Sequence, residues 1–250
     1  MVPFIANKEI YERIKWIDKN MLLKYSSIDK NTWERMMNKD LDFVNTPTKV
    51  LPLTKEEMQK YPYSVSKIYL PFLKGYKNLF EEKYTKNFNT KEILVMLRQN
   101  IKLLKKLHDN NVYHGDLYVC NVMINKDLDM KYIDLDASIV DGIISEENIF
   151  KPDFDSEDAI EYTRSMDILE TIKMYLLYLE RGNFKQGVIE TVDFYKLHLP
   201  EIIEKFFKMY YDNEPVKVEE NYYFEDVIEE LISTGYVSEK LETRNKKRRC

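Results

Sequence analysis

The pattern of apolar and polar positions changes character part-way along the chain. Before residue 72 the apolar stretches are short and strand-like, and after residue 89 they recur at helical spacing. Glu9 to Ile17 and Met21 to Tyr25 flank the turn-forming triplet Asp18-Lys19-Asn20, which predicts a β-hairpin. Asp29 is placed to cap a short helix reaching toward Asp40, with Trp33, Met36 and Met37 on its apolar side. Lys49 to Leu53 reads as the next strand. Thr54 and Glu57 form a capping-box pattern for one or two helical turns, and Tyr63 to Leu70, bounded by Pro62 and Pro71, reads as a further strand.

Phe72 to Tyr76 is a short connector. Asn89 or Thr90 then opens a long helix with apolar positions Ile93, Leu97, Ile101, Leu104 and Leu107. Asn110-Asn111, which tolerate left-handed backbone, are its expected stop. Asn121 to Ile124 and Met130 to Leu135 predict a second hairpin, turning through Asn125 to Asp129. Ile139 to Arg164, with Gly142 and Pro152, is polar and reads as irregular. Ser165 to Glu180 reads as a helix closed by Gly182, and two or three more helices are expected within 185–233, one starting at Pro200. The predicted class is α+β. It divides into a strand-rich unit with one helix (1–71), a hinge (72–76), a mostly helical unit (77–241) and a basic tail (242–250).

The second hairpin carries the candidate chemistry. Folding Met130 to Leu135 back on Asn121 to Ile124 brings Asp134 beside Asn121, with Asp116 five residues upstream on a loop. Two carboxylates and an amide oxygen around one small space suit Mg²⁺, which takes one or two carboxylates and fills its remaining positions from substrate phosphates. Asn121 and Asp134 are the candidate ligands, and Asp116 is left as a proton acceptor.

Composition narrows the setting. A net charge of −5 gives no global bias toward nucleic acid or an anionic membrane. No apolar run approaches the roughly 18 residues of a spanning helix, and no signal pattern opens the chain. Cys120 and Cys250 are too few and too oddly placed for a disulfide framework, which points to a reducing cytoplasm. Cys120 itself reads as a packing residue.

His114-Gly115-Asp116-Leu117 followed by Asn121 matches the pattern H-x-D-L-x-x-x-N, and Asp134-Leu135-Asp136 stands where D-F-G stands. At these residues the chain resembles the protein-kinase-like superfamily, and its H-G-D-L variant is closest to small-molecule kinases of the aminoglycoside and choline type. The resemblance runs from about Met21 to Gly182. It implies a two-lobed fold and an ATP- and Mg²⁺-dependent phosphotransferase acting on a hydroxyl of a protein or small molecule. Asp116 would orient or accept the hydroxyl proton, with Asn121 and Asp134 holding the metal. His114 would support the loop, and Asp167 would hydrogen-bond the loop backbone. Lys24, in Met21-Leu22-Leu23-Lys24, resembles the lysine of V-A-I-K that holds the α/β-phosphates, with Glu34 as its ion-pair partner. Strand alternation equally allows Lys24 on the solvent face, and Glu34 on the surface. Asp136 could supply an oxygen to the metal, support the groups around it, or be solvated.

The chain departs from the pattern in four places. Met1 to Asn20 contains no glycine where a phosphate-covering loop would use it; Tyr118 stands at the catalytic-loop lysine position; Gly115 replaces an arginine; and no A-P-E follows Asp136. Two other readings therefore stand beside the kinase: a pseudokinase serving as a binding or scaffold module, and a nucleotidyl transferase moving AMP.

Overall fold

Turn chemistry sets the first hairpin. Strand β1 (Ile14–Asp18) pairs antiparallel with β2 (Met21–Ser26), matching Ile14 with Lys24 and Trp16 with Leu22 before a register shift at Asp18. This computed structural model describes residues 13–79, 81, 90–145, 148 and 156–180. The strand residues expected at 9–12 lie outside the described residues. So do Pro152, Gly182, the helices expected within 185–233 and the basic tail.

Helix α1 (Lys30–Met37) is capped by Asp29, whose carboxylate accepts from the backbone N–H groups of Asn31 and Thr32 at 2.8 and 3.1 Å. Trp33 and Met36 are buried on its inner side. Met37, expected with them, faces outward, because one residue further on turns the side chain about 100° round the axis. Strand β3 (Lys49–Pro52), helix α2 (Lys55–Lys60) and strand β4 (Ser66–Pro71) follow. The Thr54–Glu57 capping box closes reciprocally at 2.8 and 3.2 Å. Strand β4 starts at Ser66 rather than Tyr63, since Ser64 N–H turns back to the Tyr61 carbonyl at 3.0 Å and leaves Tyr63 in solvent.

Among the described residues these strands form a sheet of order β1-β2-β4-β3. Directly paired residues share a face, so the register puts Ile14, Trp16, Leu22, Lys24, Ile68, Leu70 and Val50 on one side. Leu23 and Tyr25 point to the other, where they pack with Leu53 and Tyr61.

After the connector, β5 (Lys77–Asn78) joins the edge of the second hairpin, β7 (Val122–Ile124) and β8 (Met130–Tyr132). Helix α3 (Thr90–Asp109) buries Leu97, Ile101, Leu104 and Leu107 and stops at Asn111, whose φ is 54°. Among the described residues, no helix is long and apolar enough to cross a membrane. Within the stretch read as irregular, Ile139 to Arg164, the described residues include two short strands and the start of a helix. Strands β9 (Ile139–Val140) and β10 (Ile143–Ile144) form a two-residue hairpin through Asp141 and Gly142, with φ of 50° and 79°, and β9 also pairs with β6 (Val112–Tyr113). Positive φ at both turn residues is what this tight hairpin requires. Helix α4 (Ser156–Glu180) begins well before Ser165, because Ala159, Tyr162 and Thr163 bury one helical face beneath a polar exterior.

One apolar core joins Trp33, Met36 and Phe43 to α3, the second hairpin and α4. The segment Phe43-Val44-Asn45 docks on β8: Tyr132 N–H donates to the Phe43 carbonyl at 2.8 Å and Asn45 N–H to the Tyr132 carbonyl at 2.9 Å. Behind the hairpin, the Tyr132 hydroxyl donates to the Asn100 carbonyl at 3.0 Å and Asn100 Nδ2 to the Tyr175 hydroxyl at 3.2 Å. The hairpin is thus seated against both long helices by hydrogen bonds as well as packing.

Candidate active site

The loop from His114 to Asn121 is held from behind by one carboxylate. Asp167, buried on α4, accepts from the backbone N–H groups of His114 at 2.7 Å and Gly115 at 3.0 Å, and lies 3.2 Å from His108 Nε2. Gly115 has φ +76°, and a Cβ there would lie 2.3 Å from the Ala137 carbonyl oxygen. No side chain fits there, which accounts for the glycine at this position. His114 is buried; its Nε2 donates to the Ile133 carbonyl at 3.0 Å and its Nδ1 accepts from Asp116 N–H at 3.3 Å. It ties the loop to the strand that leads into Asp134.

Asn121 closes the loop. Its Nδ2 donates to the Asp116 carbonyl at 2.8 Å and to Asp116 Oδ2 at 3.0 Å. With the amide nitrogen committed, the oxygen is the atom left to face a cation. The backbone carbonyl of Asn121 accepts from Ile133 N–H at 3.0 Å, so Asp134 follows directly beside it. Asp134 has φ 61°, a left-handed conformation that aspartate tolerates better than most residues. Cys120, expected to pack, is exposed.

Lys24 reaches this cluster from β2. Its Nζ lies 2.5 Å from Asp134 Oδ1 and 2.9 Å from Asp136 Oδ2, with the lysine buried. Lys24 therefore faces the site and not solvent. Glu34, expected as its partner, pairs instead with Lys30 at 3.4 Å and is 51% exposed at the side chain. The inward face of α1 is taken by the Trp33 indole, and the next residue is carried round to the outside.

Asp136 is buried and heavily bonded. The Ser26 hydroxyl donates to its Oδ1 at 2.6 Å, and the hydroxyls of Ser27 (2.9 Å) and Ser145 donate to its backbone carbonyl. The Trp33 indole N–H donates to Ser26 Oγ at 3.1 Å. An oxygen from Asp136 at or around a metal was one of the expected readings; its contact with Lys24 and the serines that hold it were not expected from sequence. The signal available was the small polar run Ser26-Ser27 ending a strand that carries Lys24. A second missed feature is aromatic: Trp16, 62% exposed, packs on Phe72 with ring centroids 4.9 Å apart, on the same sheet face as Lys24.

The charges are tuned unequally. Burial alone would push the Lys24 ammonium down, but Asp136 and then Asp134 outweigh it and hold it above its usual value. The Lys24 ammonium, working against burial, holds Asp134 below the usual carboxylate range. Burial pushes Asp116 up, with His114 opposing and Asp134 adding to the shift. One carboxylate is thus kept ionised beside a cation, and the other becomes a better proton acceptor than a free aspartate. The Asn121 oxygen and the Asp134 carboxylate are hard donors of the kind Mg²⁺ takes, and they are few enough to need substrate phosphates to complete its shell. The residues present fit that ion.

The geometry has a counterpart in sequence comparison. Residues 75–140 match the model of the lipopolysaccharide kinase (Kdo/WaaP) family. This is a kinase family of the protein-kinase-like superfamily, and the matched stretch runs from the connector through the loop and the second hairpin to β9. The match supports a phosphotransferase. No curated protein matches the chain.

Proposed function

We propose that the protein is an ATP- and Mg²⁺-dependent phosphotransferase that moves the γ-phosphate to a hydroxyl of a sugar or other small molecule. The observation that carries this reading is the convergence of Asp116, Asn121 and Asp134 on one loop and hairpin, with Lys24 delivered to Asp134 from the facing sheet. In the proposed architecture the β1–β4 sheet with α1 is the small lobe, Phe72 to Tyr76 is the hinge, and the remainder is the larger lobe. A reducing cytoplasm, where ATP is supplied, is the proposed compartment.

Asp116 takes or orients the acceptor hydroxyl proton, and its raised basicity suits that task. Asn121 Nδ2 holds the Asp116 carboxylate in place, so the base is oriented before substrate arrives. Lys24 steadies the phosphates. Mg²⁺, when bound by Asn121 and Asp134, neutralises charge on the transferring phosphates. Trp16, Leu22, Leu70 and Phe72 give the sheet an apolar end against which a nucleotide base can lie. That shelf offers a grip on nucleotide where Met1 to Asn20 contains no glycine for a phosphate-covering loop. The family matched by residues 75–140 is named for kinases of lipopolysaccharide, which favours a sugar hydroxyl over a protein side chain.

The missing glycine favours a second reading, a nucleotide-binding module without transfer. Incubation with γ- or α-labelled ATP, Mg²⁺ and a panel of hydroxylated sugars separates the cases. The expected result is γ-label on an acceptor, lost in Asp116→Asn. Transfer of α-label would instead mark a nucleotidyl transferase. Binding of ATP with no transfer would mark the binding module.

A further inference from the structure

We propose that Asp136, rather than any carboxylate on helix α1, is the positioning residue that holds Lys24 toward the phosphates. The inference rests on the phosphotransferase reading of the site. Lys24 Nζ is shared between two carboxylates, Asp134 at 2.5 Å and Asp136 at 2.9 Å, and the two are not equivalent. The Asp134 side chain is 46% exposed and is the one available to a cation; that of Asp136 is 6% exposed. If Asp134 turns to a metal, a buried ammonium with no other partner would be strongly disfavoured. Asp136 remains to it.

Asp136 is also unable to swing away. Its Oδ1 is bonded by Ser26, its carbonyl by Ser27 and Ser145, and Ser26 is in turn bonded by the Trp33 indole and by Ile28 N–H at 3.1 Å. Leu135 between the two aspartates is buried in the core, which locks the backbone that presents them. The third residue of Asp134-Leu135-Asp136 is therefore what allows Glu34 to sit in solvent on Lys30. A glycine there would leave Lys24 with Asp134 alone.

The test is equilibrium binding of Mg·ATP to the full chain, in wild type, Lys24→Met, Asp136→Asn, the double variant and Glu34→Ala. Asp136→Asn is expected to weaken binding on the order of tenfold, as loss of an outer partner of a site residue commonly does. Because Asp136 acts through Lys24, the double variant should bind no more weakly than Lys24→Met alone. Glu34→Ala removes only an exposed pair and should change binding by less than about twofold. Full additivity of the two losses overturns the proposal, and so does a tenfold loss in Glu34→Ala. Should Asp136→Asn not fold, Ser26→Ala, which loosens Asp136 without removing its charge, takes its place in the same cycle. A wild type that binds no Mg·ATP overturns the phosphotransferase reading itself, a result distinct from either failure above.

Discussion

Asp116 is solvent-exposed as a residue, but the loop packed around its carboxyl desolvates it and raises its pKa above the ordinary value of 3.8; His114 opposes that shift and Asp134 adds to it. A carboxyl with a raised folded pKa favours the fold while protonated and loses that contribution as pH rises through the folded value. At neutral pH the ionised Asp116 therefore works against stability. Asp116→Asn is expected to lose transfer by about 10²–10⁴-fold and, at pH 7, to melt at a higher temperature than wild type. The melting difference should shrink as pH falls below 4, where wild type is protonated too. A melting temperature at or below wild type at pH 7 would contradict this account. Gly115 gives the opposite case. Its positive φ and the 2.3 Å approach to the Ala137 carbonyl leave no place for a methyl group, so Gly115→Ala should lose at least the 1–3 kcal/mol typical of a strained conformation, measured by urea unfolding. Activity should fall with it, since the adjacent Asp116 moves.

Between elements, α3, α4 and the loop meet at Asp167. Three donors depend on it: the N–H groups of His114 and Gly115 and the His108 ring. Asp167→Ala takes the acceptor from the N–H groups of His114 and Gly115, and each buried donor left unsatisfied costs about 1–3 kcal/mol, read by denaturant unfolding. His108 adds a pH signature. Burial pushes its imidazole below the usual 6.5, against the pull of Asp167. As pH falls below 6.5 the unfolded chain takes up a proton that the fold resists, so stability should decline there. His108→Gln should flatten that part of the stability-pH curve relative to wild type. At this scale the sequence was legible where turn and cap chemistry is local: Asp29, the Thr54–Glu57 box and the Asn111 stop all sit where side-chain chemistry puts them. It was misread at Ile139–Ile144 and from Ser156 onward. There Asp141-Gly142 between apolar pairs is a hairpin signal, and the polar residues around Ala159 and Tyr162 hid a helical face. The position of Asp134 beside Asn121 was readable, because one hairpin register brings it about. The partner of Lys24 was not. It depends on which face of α1 the Trp33 indole occupies, a matter of tertiary packing rather than spacing.

For the whole molecule, binding that draws on both the sheet and the hairpin should show as stability. Mg·ATP at about 100 times its Kd would add about 2.7 kcal/mol, which for a chain of this size raises Tm by roughly 5–10 °C. The shift should shrink with ATP and chelator, be absent with Mg²⁺ alone, and lose its metal-dependent part in Asp134→Ala. Identical melting under all these conditions would end the nucleotide-binding reading. The Lys24–Asp136 contact has a further consequence, one of control. Where a lysine's partner sits on a helix that can swing, the swing is an on–off toggle. Here the partner is clamped by Ser26 at the end of the lysine's own strand and Ser27 just beyond it, and α1 carries Trp33 into the core instead of a charge into the site. Displacing α1 would uncover an indole and withdraw its N–H from Ser26 without itself removing a charged partner from Lys24. On the proposed reading no charged partner on α1 is needed to complete the site, and output in the cell would follow how much of the enzyme is made, how fast it is degraded and how much acceptor it meets.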